Sequence, residues 1–120
     1  MTGYDRRDPT ANLRTMKRPY DDHQPDRAEI DALPGATVLD FGQTWCGYCT
    51  AAAPIIERAL AAAKGVRHLK VSDGSGRPLG RSFRVKLWPT LVLLKDGKEL
   101  GRVVRPASEA QLRDALEAIV

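Results

Sequence analysis

A strand–helix–strand pattern in the middle of the chain limits the folds open to it. The β-prone run TVLDF (Thr37–Phe41) lies between two glycines, and an alanine-rich stretch over residues 45–64 predicts one long helix. VRHLKVS (Val66–Ser72) then predicts a second strand. Strands joined through a helix pair in parallel by a right-handed crossover. The centre of the chain therefore predicts an α/β domain.

The flanking segments extend this unit on both sides. Asp26 suits the start of a first helix, a short helix is expected around residues 79–83, and Asp96–Gly97 between two β-prone runs predicts a hairpin. Ser108 begins a capping box for a last helix that ends at Val120. We expect a mixed central sheet of about four to five strands with helices on both faces.

Residues 1–24 differ in character from the rest. They are rich in Asp, Arg and Pro and lack periodicity, so we expect a disordered polar arm before one domain over residues 25–120. The net charge is +4, but the basic residues form no dense run, which does not favour a nucleic-acid partner. No apolar run suits a secretory signal or a membrane span, so we expect a cytoplasmic protein without a membrane partner.

The stretch QTWCGYCTAAAP holds both cysteines of the chain, Cys46 and Cys49. A helix start stabilises negative charge, which favours the thiolate form of Cys46. Cys49 lies one turn further on the same face, where it can attack a mixed disulfide on Cys46. Zinc would need further ligands, and His23 and His68 lie far apart in sequence. A structural disulfide would close a very short loop and stabilise little. Redox exchange is favoured over both alternatives, and neither a metal nor another cofactor is expected.

The surroundings of this pair resemble the thioredoxin active-site region. The shared pattern is an apolar-Asp-Phe strand, Trp-Cys-x-x-Cys, a helical proline, a lysine inside the next strand, and a proline that opens a Lys-x-Gly hairpin. The matching residues are Asp40, Phe41, Trp45, Cys46, Gly47, Cys49, Pro54, Lys70, Pro89 and Lys95–Gly97. The resemblance covers roughly residues 26–120 and implies a thioredoxin fold.

The resemblance implies roles for particular residues. Cys46 would be the nucleophile and Cys49 the resolving thiol. Asp40 would be a buried acid that assists proton transfer at Cys49, close to Lys70; the alternatives are an aspartate turned to water and a solvated lysine. His68, on the same strand face as Lys70, is expected to be a partly buried spacer, and the alternative is a position near Asp40.

The resemblance also implies a substrate surface. Pro89 would be cis and face the cysteines, which would leave the backbone of Trp88 free to pair with an extended substrate segment. Trp45 and Trp88 would form an apolar rim around the site. The alternative for each tryptophan is a position in the partly buried core. The residues expected to bind substrate are Trp45, Gly47, Tyr48, Trp88 and Thr90.

Four departures from the family pattern bear on specificity. Gly47–Tyr48 stands where ordinary thioredoxins have Gly-Pro and is similar to periplasmic disulfide isomerases, which implies a more oxidising couple. Gly42 stands where a second tryptophan is frequent, so one wall of the site is expected to be less bulky. Trp88 replaces a smaller aliphatic residue, and Arg105–Pro106 replaces a common glycine. Together these changes suggest a narrower substrate range.

We therefore expect a thiol–disulfide oxidoreductase that reduces protein disulfides through Cys46 and Cys49. Its partners would be disulfide-bearing proteins and an electron donor such as a thioredoxin reductase, and the protein would be a monomer. Two alternatives stay open. One is a disulfide oxidase or isomerase of an oxidising compartment, and the other is a non-catalytic binding module that uses Trp45, Trp88 and the arm.

Overall fold

A computed structural model describes Tyr20 and residues 24–120. The expectations for residues 1–19 and 21–23 lie outside the described residues. The described part of the chain forms four helices and four strands. In chain order these are α1 (Arg27–Asp31), β1 (Ala36–Gly42), α2 (Gly47–Ala61), β2 (Arg67–Ser72), α3 (Pro78–Ser82), β3 (Thr90–Lys95), β4 (Lys98–Val104) and α4 (Glu109–Leu116).

The four strands form one mixed sheet in the order β2-β1-β3-β4. β1 and β2 are parallel and are connected through α2, whereas β3 runs antiparallel to both β1 and β4. Asp96 and Gly97 join β3 to β4 with positive φ angles of 50° and 80°, as a two-residue hairpin of this hand requires. The predicted mixed sheet and its closing hairpin are confirmed.

Alternate residues of β1 point to opposite faces of the sheet, and each face carries its own buried cluster. Leu39 and Phe41 belong to a cluster with Leu79 of α3 and Ile30 of α1. Val38 belongs to the other cluster, which contains Ile56 of α2 and Leu112 of α4. Helices therefore cover both faces, as expected. By the same alternation Asp40 lies on the α2 side of β1, the side on which Cys49 lies.

Three predicted helix ends are wrong. α2 covers Gly47–Ala61 rather than residues 45–64, because the chain turns at Trp45 and Cys46 is the residue that caps the helix. α4 ends at Leu116 rather than Val120. The N–H groups of Ala118 and Ile119 bond to carbonyls three residues earlier, so the chain tightens into turns after the helix.

The predicted capping box of α4 is half formed. Ser108 Oγ accepts from the N–H of Gln111 at 3.1 Å, as predicted. The Gln111 side chain, however, accepts from the N–H of Ala107 at 2.7 Å rather than from that of Ser108. The cap still satisfies two backbone donors at the start of the helix.

Candidate active site

Cys46 caps the amino end of α2. Its backbone is extended, with φ −85° and ψ 120°, and its Sγ accepts a hydrogen bond from the Cys49 N–H at 3.2 Å. A capping acceptor here meets both an unpaired N–H and the positive end of the helix dipole. The structure thus places the Cys46 sulfur where negative charge is stabilised, at the helix start that its sequence position predicts.

Cys49 lies one turn inside α2 and is the more deeply buried cysteine. Both cysteines are free thiols, with 8 % of Cys46 and 3 % of Cys49 exposed. Burial raises the pKa of the Cys49 thiol to about 12, and the hydrogen bond with Cys46 adds to the rise. Cys49 therefore keeps its proton near neutral pH, and a base is needed before it can act as a nucleophile.

Asp40 of β1 is fully buried, at 0 % exposure, which excludes an aspartate turned to water. Its Oδ1 accepts from the Tyr20 hydroxyl at 2.8 Å, and its Oδ2 lies 2.9 Å from His68 Nε2. An ionised carboxylate only accepts, and in that state His68 Nε2 is the donor of this contact. Both carboxylate oxygens thus have a donor, as a buried charge requires.

His68 and Lys70 contribute to this site in different ways. His68 was expected to be a spacer, but it contacts Asp40 directly, because β2 pairs beside β1 and both residues face α2. Lys70 stands opposite Asp40 in the strand register, as the resemblance implies. Its ammonium lies 4.8 Å from the centre of the Tyr20 ring, within the range of a cation–π contact.

Tyr20 is the site residue that sequence analysis missed. It belongs to the predicted arm, and no periodicity or motif there points to a contact with Asp40. Gln24 also contacts the domain, since its side chain bonds to the Ser72 carbonyl and the Leu79 N–H. Two residues on the arm side of the predicted boundary therefore pack against the domain, while the boundary itself stays a prediction.

Gly42 allows Tyr20 and Cys49 to meet. A Cβ atom added at Gly42 would lie 2.6 Å from Cys49 Sγ and 2.8 Å from both Cζ and the hydroxyl oxygen of Tyr20. These separations are shorter than any side-chain carbon tolerates. The expectation of a less bulky wall at Gly42 is therefore wrong, because the Tyr20 ring fills that space.

An aromatic rim borders the cysteines. The Trp88–Pro89 peptide bond is cis, as the resemblance implies. Trp45 is 73 % exposed and meets Trp88 edge to face, with ring centres 5.5 Å apart. Trp88 Nε1 donates to Asp73 Oδ2 at 2.9 Å, which fixes the inner ring. Trp45 is thus not a core residue, and the pair presents an apolar surface to solvent.

Arg105 covers part of the expected substrate surface. Its guanidinium lies 3.6 Å from the centre of the exposed Tyr48 ring, and its Nε donates to the Trp88 carbonyl at 2.8 Å. The prediction that the Trp88 backbone is free is therefore wrong for its carbonyl oxygen. Thr90 is buried, and its hydroxyl donates to the Leu87 carbonyl at 2.5 Å. Gly47 is exposed, with open space where a side chain would be.

Two features are absent from Tyr20 and residues 24–120. No group of three or more His, Cys, Asp or Glu side chains there could hold a metal ion. No helix in the same residues is both long and apolar enough to cross a membrane.

A buried dithiol at a helix start and a buried carboxylate on the same side of the sheet define a protein that carries out thiol–disulfide exchange. Comparison with known proteins agrees: the thioredoxin family model matches residues 25–118. The chain belongs to the thioredoxin family, and it is accordingly a protein-disulfide oxidoreductase with the thioredoxin fold.

Individual relatives support the same conclusion. Thioredoxin 2 from Pseudomonas aeruginosa PAO1, in its reduced form, has a TM-score of 0.77 and 51 % identity, covering 86 % of this chain and 95 % of that chain. Thioredoxin from Chlamydia trachomatis is 42 % identical over 71 residues, which are 58 % of this chain and 69 % of that protein. Thioredoxin from Mycobacterium tuberculosis is 34 % identical over 84 residues, with coverages of 69 % and 72 %.

Proposed function

We propose that this protein reduces protein disulfides in two steps, with Cys46 as the nucleophile and Cys49 as the resolving thiol. The observation that carries the proposal is the hydrogen bond from the Cys49 N–H to Cys46 Sγ at the start of α2. That bond directs a backbone donor and the positive end of the helix dipole at Cys46 Sγ, the sulfur that we propose attacks first. Cys49, buried one turn deeper and protonated, suits the second step.

The proposed reaction consists of two successive displacements at sulfur. The Cys46 thiolate attacks one sulfur of the substrate disulfide, the substrate S–S bond breaks, and the released thiolate takes a proton from water. Cys49 then loses its proton and attacks Cys46 Sγ. The Cys46–Cys49 disulfide forms as the second substrate thiolate leaves. Two electrons pass from the protein dithiol to the substrate.

Asp40 is the residue we propose as acceptor of the Cys49 proton. Two observations support this proposal: the Asp40 carboxyl group is buried on the α2 side of β1, and both of its oxygens are hydrogen-bonded. Lys70 supports the site electrostatically, since it stands opposite Asp40 and its ammonium lies against the Tyr20 ring.

The proposed substrate surface surrounds the sulfurs. Trp45, Tyr48 and Gly47 are exposed and offer contact area directly. The half-buried Trp88 adds to it through its contact with Trp45, and we propose that the buried Pro89 faces the sulfurs. Thr90 shapes this surface indirectly, because its hydroxyl holds the Leu87 carbonyl in the loop before the cis bond. An extended disulfide-bearing segment fits such a surface as an added strand.

We further propose an electron donor of the thioredoxin reductase type, a monomeric state and a cytoplasmic location. Membership of the thioredoxin family supports the donor. Reduction of the Cys46–Cys49 disulfide by a purified thioredoxin reductase with NADPH tests it, and size-exclusion chromatography with light scattering tests the monomer.

Reduction of insulin disulfides tests the function itself. The native protein with a dithiol regenerant is expected to precipitate insulin chains, and Cys46→Ser is expected to abolish this activity. Cys49→Ser is expected to accumulate a mixed disulfide through Cys46, detected by mass spectrometry. Ala62→Ser, at the opposite end of α2, is the matched control and is expected to keep native activity. Native activity in Cys46→Ser refutes the proposal.

One observation favours a disulfide oxidase or isomerase as the second candidate. The Arg105 guanidinium on the Tyr48 ring brings a cation next to the residues between the cysteines. A cation there stabilises the reduced thiolate form, and stabilisation of the reduced form makes a couple more oxidising. The reduction potential separates this candidate from a reductase. If the protein exchanges with no disulfide at all, the remaining interpretation is a non-catalytic binding module.

A further inference from the structure

We propose that Tyr20 is a positioning residue of the resolving step: its hydroxyl holds the Asp40 carboxylate beside Cys49 and passes the Cys49 proton to it. This inference rests on the proposed function and concerns only its second step. It also makes residue 20, which lies outside the segment that the thioredoxin family model matches, part of the active site.

The contacts of the Tyr20 hydroxyl lead to this assignment. It donates to Asp40 Oδ1 at 2.8 Å. Its oxygen and the Cys49 sulfur also lie within 2.8 Å of one point, that of a Gly42 Cβ, and a hydrogen bond between the two side chains contributes to the raised pKa of the Tyr20 phenol. The hydroxyl therefore lies between the thiol that must lose a proton and the carboxylate proposed to receive it.

The charged and titratable groups around the phenol suit a proton relay. Asp40 faces it from β1, His68 and Lys70 from β2, and Cys49 from α2, with Cys46 next along that helix. Burial raises the pKa of the Tyr20 phenol, and the Asp40 and Cys49 charges raise it further. The phenol thus stays protonated, so it donates to Asp40 and keeps a lone pair for the Cys49 proton.

The relay moves one proton without creating a phenolate that lasts. As Cys49 Sγ attacks Cys46 Sγ in the mixed disulfide, the Cys49 proton passes to the Tyr20 oxygen. The Tyr20 proton passes to Asp40 Oδ1, and the substrate sulfur leaves as a thiolate with the bonding electron pair. Asp40 later returns its proton to water through the same hydroxyl. His68 keeps the second carboxylate oxygen hydrogen-bonded throughout.

The test compares the native protein with Tyr20→Phe, which removes the hydroxyl and keeps the ring against Gly42. The reduced protein is mixed with insulin, the reaction is quenched with acid, and the decay of the mixed disulfide is followed by mass spectrometry across a pH series. The alkylation rate of Cys46 by iodoacetamide, measured in parallel, reports on the first step. Circular dichroism and thermal unfolding check that the variant is folded.

We expect Tyr20→Phe to slow decay of the mixed disulfide at neutral pH by at least about tenfold, since positioned proton transfer contributes about 10²–10⁴-fold in general and water can take over part of this role. Cys46 alkylation keeps its native rate. Without a relay the rate follows the thiolate fraction of Cys49, so it rises about tenfold per pH unit, whereas the native rate rises less steeply. Native decay rates in Tyr20→Phe, or a loss of equal size at every pH, overturn the proposal.

A double variant separates a relay from simple packing. In an Asp40→Asn background, Tyr20→Phe is expected to slow the resolving step no further, because the proton acceptor is already missing. A full additional loss overturns the proposal. A different result would refute the proposed function itself, namely that Cys46→Ser still reduces insulin. An inactive Cys46→Ser together with a native Tyr20→Phe refutes this inference alone.

Discussion

Replacement of Gly42 by alanine tests how closely Tyr20 and Cys49 approach each other. The added methyl would lie 2.6 Å from Cys49 Sγ and 2.8 Å from the Tyr20 hydroxyl. Cys49 is fixed in α2 and the hydroxyl is held by Asp40, so neither atom moves away freely. Overpacking of a buried site costs about 1–3 kcal/mol, and loss of a strand glycine returns about 0.5–1 kcal/mol.

We therefore expect Gly42→Ala to lower the free energy of unfolding of the reduced protein by about 1–2 kcal/mol. For a domain of this size the melting temperature falls by about 4–8 °C per kcal/mol. Urea denaturation and calorimetry under reducing conditions measure both quantities. The matched control is Gly101→Ala in β4, where the added Cβ meets Leu93 Cδ1 at an ordinary 3.8 Å. That variant is expected to be neutral or slightly stabilised.

A third variant assigns the cost to Tyr20. In a Tyr20→Ala background part of the collision disappears, so Gly42→Ala is expected to cost at least about 0.5 kcal/mol less than in the native chain. If Gly42→Ala matches Gly101→Ala in stability, or costs the same with and without the Tyr20 ring, the described packing of Tyr20 against Gly42 is refuted.

Three further predictions concern neighbouring groups. The unfolded Cys49 thiol has its ordinary pKa of 9.0, whereas the buried thiol has one of about 12. The unfolded chain releases this proton first, so the free energy of unfolding falls above pH 9, by up to about 1.4 kcal/mol per pH unit. Urea titrations on both sides of pH 9 should show that Cys49→Ala removes this contribution, and an unchanged slope would contradict the burial of the thiol. His68→Leu leaves one Asp40 oxygen without its hydrogen-bond partner and is expected to lower the free energy of unfolding by about 1–3 kcal/mol in the same assay. An unchanged free energy of unfolding would show that this contact does not stabilise the fold. Arg105→Gly frees the Trp88 carbonyl and is expected to raise kcat/KM several-fold for bulky peptide disulfides. If kcat/KM of the variant equals that of the native protein for bulky and small substrates alike, Arg105 does not restrict the site.

The sequence predicts this fold well because its local signals agree with one another. The β-prone run Thr37–Phe41 between two glycines, the alanine-rich helix and the Asp96–Gly97 turn each specify one element, and the crossover rule orders them. Helix ends were less predictable. Cys46 caps α2 and is not part of the helix. The turns after Leu116 contain backbone hydrogen bonds that the sequence pattern does not predict.

The active site divides in the same way. Cys46, Asp40 and the cis Pro89 could be recognised because motif residues hold them in fixed local geometry. Tyr20 could not, since its contacts with Asp40 and Cys49 depend on where a segment without periodicity packs.

His68 lies between these cases. Its position two residues before Lys70 placed it on the correct face, but a hydrogen bond to Asp40 depends on how the side chain is turned.

The reduction potential of the Cys46–Cys49 couple tests the central claim most directly. Equilibration of the native protein with glutathione buffers of known ratio, followed by mass spectrometry of trapped thiols, gives this value. A protein that reduces disulfides in the thioredoxin manner is predicted to have a potential closer to about −270 mV than to about −180 mV, with the shift that Gly47–Tyr48 introduces being only part of that difference. A value near about −180 mV, typical of disulfide isomerases, would contradict the reductase assignment and favour the oxidase or isomerase.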